Sequence, residues 1–233
     1  TSWPIWLLPY VRAVMATTSC KSLRPLNLDP PMHAEVLTTS AGIHLNGPLL
    51  LSPQVHGDER GFFFESWNQR RWQNVLASHG QKAPDFVQDN HSRSSCGVLR
   101  GLHYQLPPHP QGKLVRCVVG EIFDVAVDLR RSSATYGQWV GAHLSAENHQ
   151  QLWIPVGFAH GFLTLSESAE VLYKATDFWS RDCERAIRWD DPRLGIAWPV
   201  VHDVDGDQIP ASLSQKDAVA PLMEELSAAE TCK

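Results

Sequence analysis

Residues 98–105, VLRGLHYQ, place a guanidinium (Arg100) and an imidazole (His103) in a run that otherwise has the texture of a β-strand, where β-branched and aromatic side chains are favoured. One account is an exposed edge with a satisfied core histidine. The other is a polar site lining the inside of a barrel. His160 poses the same choice in IPVGFAHGF, where Pro155 and Gly157 shape a turn that delivers the ring into a strand. Lys113 and Tyr173 also fall in strand-like runs, KLVRCVV and EVLYKAT. Taken singly, they read as a solvated lysine and a core tyrosine with its hydroxyl satisfied. A histidine titrates near neutrality and suits a general base, so these groups gathered in one polar lumen would do acid–base work. A metal-binding small barrel would want His-x-His with a glutamate soon after. Tyr104 and Gln105 follow His103 instead, so no metal site is expected. His33, His44, His79, His149 and His202 fall in loops and are expected at the surface.

These side chains need elements that converge. From about residue 48, short alternating apolar segments recur with Gly, Pro, Asn and Ser between them. That pattern predicts an all-β sandwich or barrel, and without βαβ alternation a dinucleotide-binding fold is not indicated. RRWQNVLASHG is the one good helical window before residue 200. Trp72, Val75 and Leu76 share a face and Gly80 stands at the C-terminal cap. KLVRCVVGEIFDVAVDLR reads as two strands joined by a tight hairpin at Val119-Gly120-Glu121. In the second, Asp124, Ala126 and Asp128 alternate with Val125 and Val127; the acidic face is either solvated or part of a polar lumen.

The chain has 233 residues, 43% of them hydrophobic, enough for one large domain with extensions. A net charge of −5 argues against a general nucleic-acid binder, while local arginines and lysines can still gather an anion in a cleft. Five scattered cysteines without a CxxC pair indicate neither a disulfide framework nor a zinc–thiolate site, and a reducing cytoplasm is the simplest compartment. TSWPIWLLPYVRAVMATTSC is apolar, but Pro4, Pro9 and Arg12 interrupt it and no basic region precedes Trp3. It makes a poor membrane span or signal peptide. The expected division is a flexible extension over 1–46, with Met15 or Met32 as candidate starts, a domain over 47–225 and a tail over 226–233.

The ordered set GDERGFFFESWNQ, FVQDNHSRSSCGVLRGLHYQ, QGKLVRCVVGEIFDVAVDLR, GQWVGAHLSAENHQQLWIPVGFAHGFLTLSESAEVLYKATDF, IAWP and LSQKDAVAPL resembles the dTDP-4-dehydrorhamnose 3,5-epimerases. The resemblance runs from about Gly47 to Leu222. It implies a cupin-type double-stranded β-barrel (jelly roll), a cytoplasmic homodimer, a dTDP-sugar substrate, and no metal or other cofactor. It assigns His103 as general base, Asp217 as the carboxylate that orients and charge-stabilises it, Lys113 as partner of the enolate oxygen, and Tyr173 as acid on the opposite face. It further implies nucleotide, pyrophosphate and sugar contacts from Arg60, Glu65, Gln88, Asn90, Arg100, Arg116 and His160. Arg60 and Glu65 are expected to reach the partner's site. The implied reaction inverts C3 and C5 of dTDP-4-dehydro-6-deoxy-D-glucose on the way to dTDP-L-rhamnose; the alternatives are a single-centre epimerase or a non-catalytic cupin that binds sugar nucleotides.

Three features depart from the family pattern. Some forty residues precede HGDERG; VVHDVDGDQIPAS before LSQKD is several residues long; and Phe178 and Trp179 stand where tyrosines are usual. One geometric expectation follows from the opening stretch. Strict alternation puts Arg100 and His103 on opposite faces, so a shared site requires a bend or bulge near Gly101.

Overall fold

The computed structural model describes residues 32–203 and 205–232; the expected extension up to residue 31 lies outside them. In chain order the elements are β1 (His33–Thr38), β2 (His44–Ser52), β3 (His56–Asp58), β4 (Gly61–Phe63), α1 (Gln69–Ser78), β5 (Gln88–Ser95), β6 (Leu99–Gln105), β7 (Lys113–Val119) and β8 (Glu121–Asp128). They continue with β9 (Trp139–Ser145), β10 (Gln151–Ile154), β11 (Phe158–Thr164), β12 (Ser168–Ala175), β13 (Glu184–Ala186), β14 (Val201–His202), β15 (Gln208–Ile209) and α2 (Gln215–Ala218). Two large antiparallel sheets result, ordered β1-β2-β10-β7-β12-β5 and β13-β6-β11-β8-β9, with β14-β15 and β3-β4 as separate two-stranded pairs. The two large sheets face one another as a cupin-type jelly roll.

Apolar alternation builds the interior. Val115 and Cys117 of β7 and Val171 of β12 meet Ile122, Ala126, Phe158 and Phe162 of the five-stranded sheet. The outer faces are covered as well. Trp72, Val75 and Leu76 of α1 pack on Leu49, Leu51, Leu114 and Trp153, each such burial contributing about 1.5–3 kcal/mol. Asn68 caps this helix through its side chain; Gly80 follows it with φ 69°, at the end where the sequence predicts it. Across the molecule, Met223 and Leu226 cover Leu102, Tyr104, Val125 and Val127.

Three expectations are corrected. Residues 33–46, assigned to the extension, form β1 and the start of β2 within the six-stranded sheet. The C-terminal tail is packed, since Leu226 is buried and Cys232 exchanges backbone hydrogen bonds with Leu129 and Arg131. The strands flanking Gly120 do not pair: β7 bonds β10 and β12, while β8 bonds β9 and β11. Gly120 therefore carries the chain from one sheet to the other. That crossing buries β8 on both faces, and Asp124 and Asp128 are wholly inside. Asp128 is satisfied by Arg130, Ser133 and Thr135. Among the described residues, no helix is long and apolar enough to cross a membrane.

Candidate active site

The two sheets open on a cleft of about 400 Å³, a volume suited to a small ligand, lined by Arg100, His103, Lys113, His160, Tyr173 and Asp217 among others. Five strands and one short helix supply the wall of this cleft, since Ser92 of β5 lines it too. Arg100 and His103 reach it together because β6 is bulged. His160 opposes His103 and Phe162 opposes Arg100, so two steps along β11 answer three along β6. The extra residue falls at Gly101, whose φ of 126° is open to glycine alone. A Cβ there would come within 2.6 Å of Gly161 Cα and 2.7 Å of the His160 carbonyl oxygen. The bend expected from sequence is present.

His103 Nε2 lies 2.6 Å from Asp217 Oδ1. Ser214 starts the one-turn helix that carries Asp217, its Oγ accepting the Asp217 N–H at 3.1 Å. Burial alone would raise the Asp217 carboxyl. The hydrogen bond and charge of His103 outweigh it, helped by Ser214 and the Gly101 N–H, and hold the group below the ordinary carboxylate range. The side chain of Asp217 is nearly enclosed while that of His103 is about a quarter exposed (4% and 27%), so the imidazole faces the cleft and the carboxylate stands behind it.

Lys113 stands at the floor, its Nζ 5.9 Å from the centre of the Tyr173 ring. Desolvation pulls the Lys113 ammonium down to about 8 against the attraction of Asp124 and Glu184. Burial pushes the Tyr173 phenol up, although Arg100 works against it, so Tyr173 carries its proton at neutral pH. His160 is buried, with Nε2 2.7 Å from Asp124 Oδ1. Desolvation lowers its pKa more than Asp124 restores it. Sequence reading left Asp124 open between a solvated face and a polar lumen; it is wholly buried behind His160. Its partner is 36 residues away, and its place in an alternating strand is equally that of a solvated carboxylate. The second oxygen of Asp124 is buried and has no hydrogen-bond partner. Among the described residues, no three His, Cys, Asp or Glu side chains are grouped to hold a metal.

The expected binding residues divide. Arg100 lines the cleft, held by Nε to Ser94 Oγ at 2.9 Å and by Nη2 to the Arg93 carbonyl at 3.2 Å. Gln88 donates to Asn90 Oδ1 at 3.0 Å and accepts the Trp179 N–H at 3.0 Å; this pair lies along β5 from Ser92. Arg116 does not line the cleft itself. It alternates with Val115, which shares an inward face with Tyr173, and so it points the other way. It lines, with Asp89, Asn90, Gln151, Tyr173 and Lys174, a depression of about 110 Å³ that shares Tyr173 with the cleft. Arg60 and Glu65 do not line the cleft of their own chain either. Arg60 is exposed and paired with Asp58; Glu65 is bound by Asn68 and Arg71.

The sequence model described as dTDP-4-dehydrorhamnose 3,5-epimerase matches residues 42–225. The enzyme of that name from Salmonella typhimurium is 58% identical over 177 residues, covering 76% of this chain and 91% of its own. The one from Pseudomonas aeruginosa is 62% identical over 152 residues, 65% of this chain and 81% of its own. Among solved structures, dTDP-6-deoxy-D-glucose-3,5-epimerase from Legionella pneumophila, in complex with dTDP-4-keto-L-rhamnose, superposes with a TM-score of 0.75 at 44% identity. It covers 86% of this chain and 98% of its own.

Proposed function

This chain belongs to the dTDP-4-dehydrorhamnose 3,5-epimerase family, and from that premise we propose how its cleft inverts C3 and C5 of dTDP-4-dehydro-6-deoxy-D-glucose to give dTDP-4-dehydro-L-rhamnose. The C4 ketone acidifies the C–H bonds at both carbons. His103 removes one proton, the electron pair moves onto the C4 oxygen as an enolate, and the Lys113 ammonium stabilises that oxygen. Tyr173 returns a proton from the other face, which inverts the centre. His103 then loses its proton to solvent, Tyr173 regains one, and the cycle repeats at the second carbon. Asp217 orients the imidazole and offsets its positive charge. Arg100 suits one pyrophosphate oxygen pair.

The observation that carries this reading is the 2.6 Å His103–Asp217 contact in a cleft also lined by Lys113 and Tyr173. The unit is a homodimer in which Arg60 and Glu65 serve the partner's cleft. Phe62 and Phe63 on the same hairpin, 64% and 69% exposed, support that docking. It works in the cytoplasm on a dTDP-sugar, feeding L-rhamnose to cell-surface polysaccharide; the four cysteines among the described residues are free, in keeping with that compartment. Incubation of the purified chain with dTDP-4-dehydro-6-deoxy-D-glucose tests the reading. Proton couplings in the product should report inversion at both centres, and unchanged substrate would refute it.

A further inference from the structure

The segment VVHDVDGDQIPAS, longer than the family pattern, carries the β14–β15 pair, with Val201 opposite Ile209 and His202 opposite Gln208. At its tip Asp203, Asp205, Gly206 and Asp207 are exposed, and Asp203 Oδ1 accepts the Asp205 and Asp207 N–H groups. Its base is packed. Val201 is buried with Leu99 and Leu163, and Ile209 packs on the same cluster. Ile209 Cδ1 lies so close to Gly97 that a Cβ on that glycine would come within 2.9 Å of it.

From this anchor the chain runs parallel to the start of β6. Ser212 pairs with Val98, its carbonyl accepting the Leu99 N–H at 2.9 Å and its own N–H donating to the Gly97 carbonyl at 2.8 Å. Five residues beyond Ser212 is Asp217, and four beyond Leu99 is His103. The two chain segments that carry the halves of the His–Asp pair are thus registered against each other at Gly97–Leu99, and Ile209 holds that register from outside the cleft.

We propose that Ile209, with Val201, is a positioning residue for the reaction: the hairpin base fixes where Asp217 meets His103. The inference rests on the epimerase reading for its kinetic readout and on the His–Asp geometry for its spectroscopic one. Ile209→Ala should keep the circular dichroism of the parent and lower kcat at least tenfold, with dTDP affinity changed less than about threefold. It should also weaken or lose the downfield imidazole N–H resonance that a 2.6 Å contact to a carboxylate gives. Ile209→Val should recover most of both; if the Ile209→Ala chain does not fold, Val201→Ala takes its place, with the same losses expected. Shortening the tip between Asp203 and Asp207 to Asn-Gly, which leaves the anchor pair in place, should change neither. Parent-like kcat and resonance in Ile209→Ala, or equal losses on shortening the tip, would overturn the proposal. A parent without epimerase activity that still shows the resonance, lost in Ile209→Ala, would count against the reaction and not against the positioning role.

Discussion

At the scale of residues, the cleft sorts its ionisable groups by environment. His103 and Asp217 share a short contact, Tyr173 is kept protonated, and Lys113 is brought within reach of physiological pH. In the proposed reaction the lysine sets an alkaline limit, because its charge must face the enolate. Turnover should therefore fall as pH rises through about 8. Asp124 supports the ammonium, so in Asp124→Asn that limb should move to lower pH; a pH–rate profile of both proteins checks this. The stability linkage has the opposite slope. Burial penalises the charged lysine in the folded state, so this penalty is present below pH 8 and relieved between about 8 and the ordinary value of 10.5. His103, Lys113, Tyr173 and Asp217 were legible by resemblance and not from their own spacing, since each alone has a commonplace role. Asp124 was illegible because nothing local distinguishes a carboxylate inside a jelly roll from one on its surface.

At the scale of elements, the bulge in β6 decides what faces the substrate. The sequence indicated it through a logical demand, two polar groups at odd spacing separated by a glycine. The close approach of Gly161 on β11 could not be seen from either strand alone. A Cβ on Gly161 would lie 2.8 Å from the Arg100 carbonyl oxygen and 3.0 Å from Leu102 Cδ2. Overpacking of this kind costs about 1–3 kcal/mol. Gly161→Ala should lower the melting temperature by roughly 2–12 °C and cut turnover more than the same loss of stability elsewhere, as Arg100 and His103 are forced apart. Thermal melts paired with initial rates measure both. The Gly120 crossing teaches the converse. A short apolar–Gly–apolar stretch has the same local chemistry whether it closes a hairpin or passes between sheets, and only the pairing of distant strands separates the two.

At the scale of the whole molecule, the fold class was readable from strand spacing, while its limits were not. β1 and the C-terminal segment belong to the packed body because they cover surfaces that the rest of the chain leaves open. The β3–β4 hairpin is the exception. It holds Phe62 and Phe64 against His149, with ring centroids 4.6 and 4.9 Å apart, yet presents Phe62, Phe63 and Arg60 outward. On the proposed dimer, replacing Phe62 and Phe63 together by serine should shift light-scattering mass from dimer toward monomer and raise KM, with the melting transition retained. An unchanged mass would separate this hairpin from assembly. The most direct test of the central claim is incorporation of solvent deuterium into the dTDP-4-keto sugar. The native chain should label both C3 and C5, and His103→Ala should label neither while still binding dTDP. Label at one carbon only, or exchange that survives the loss of His103, would contradict the account.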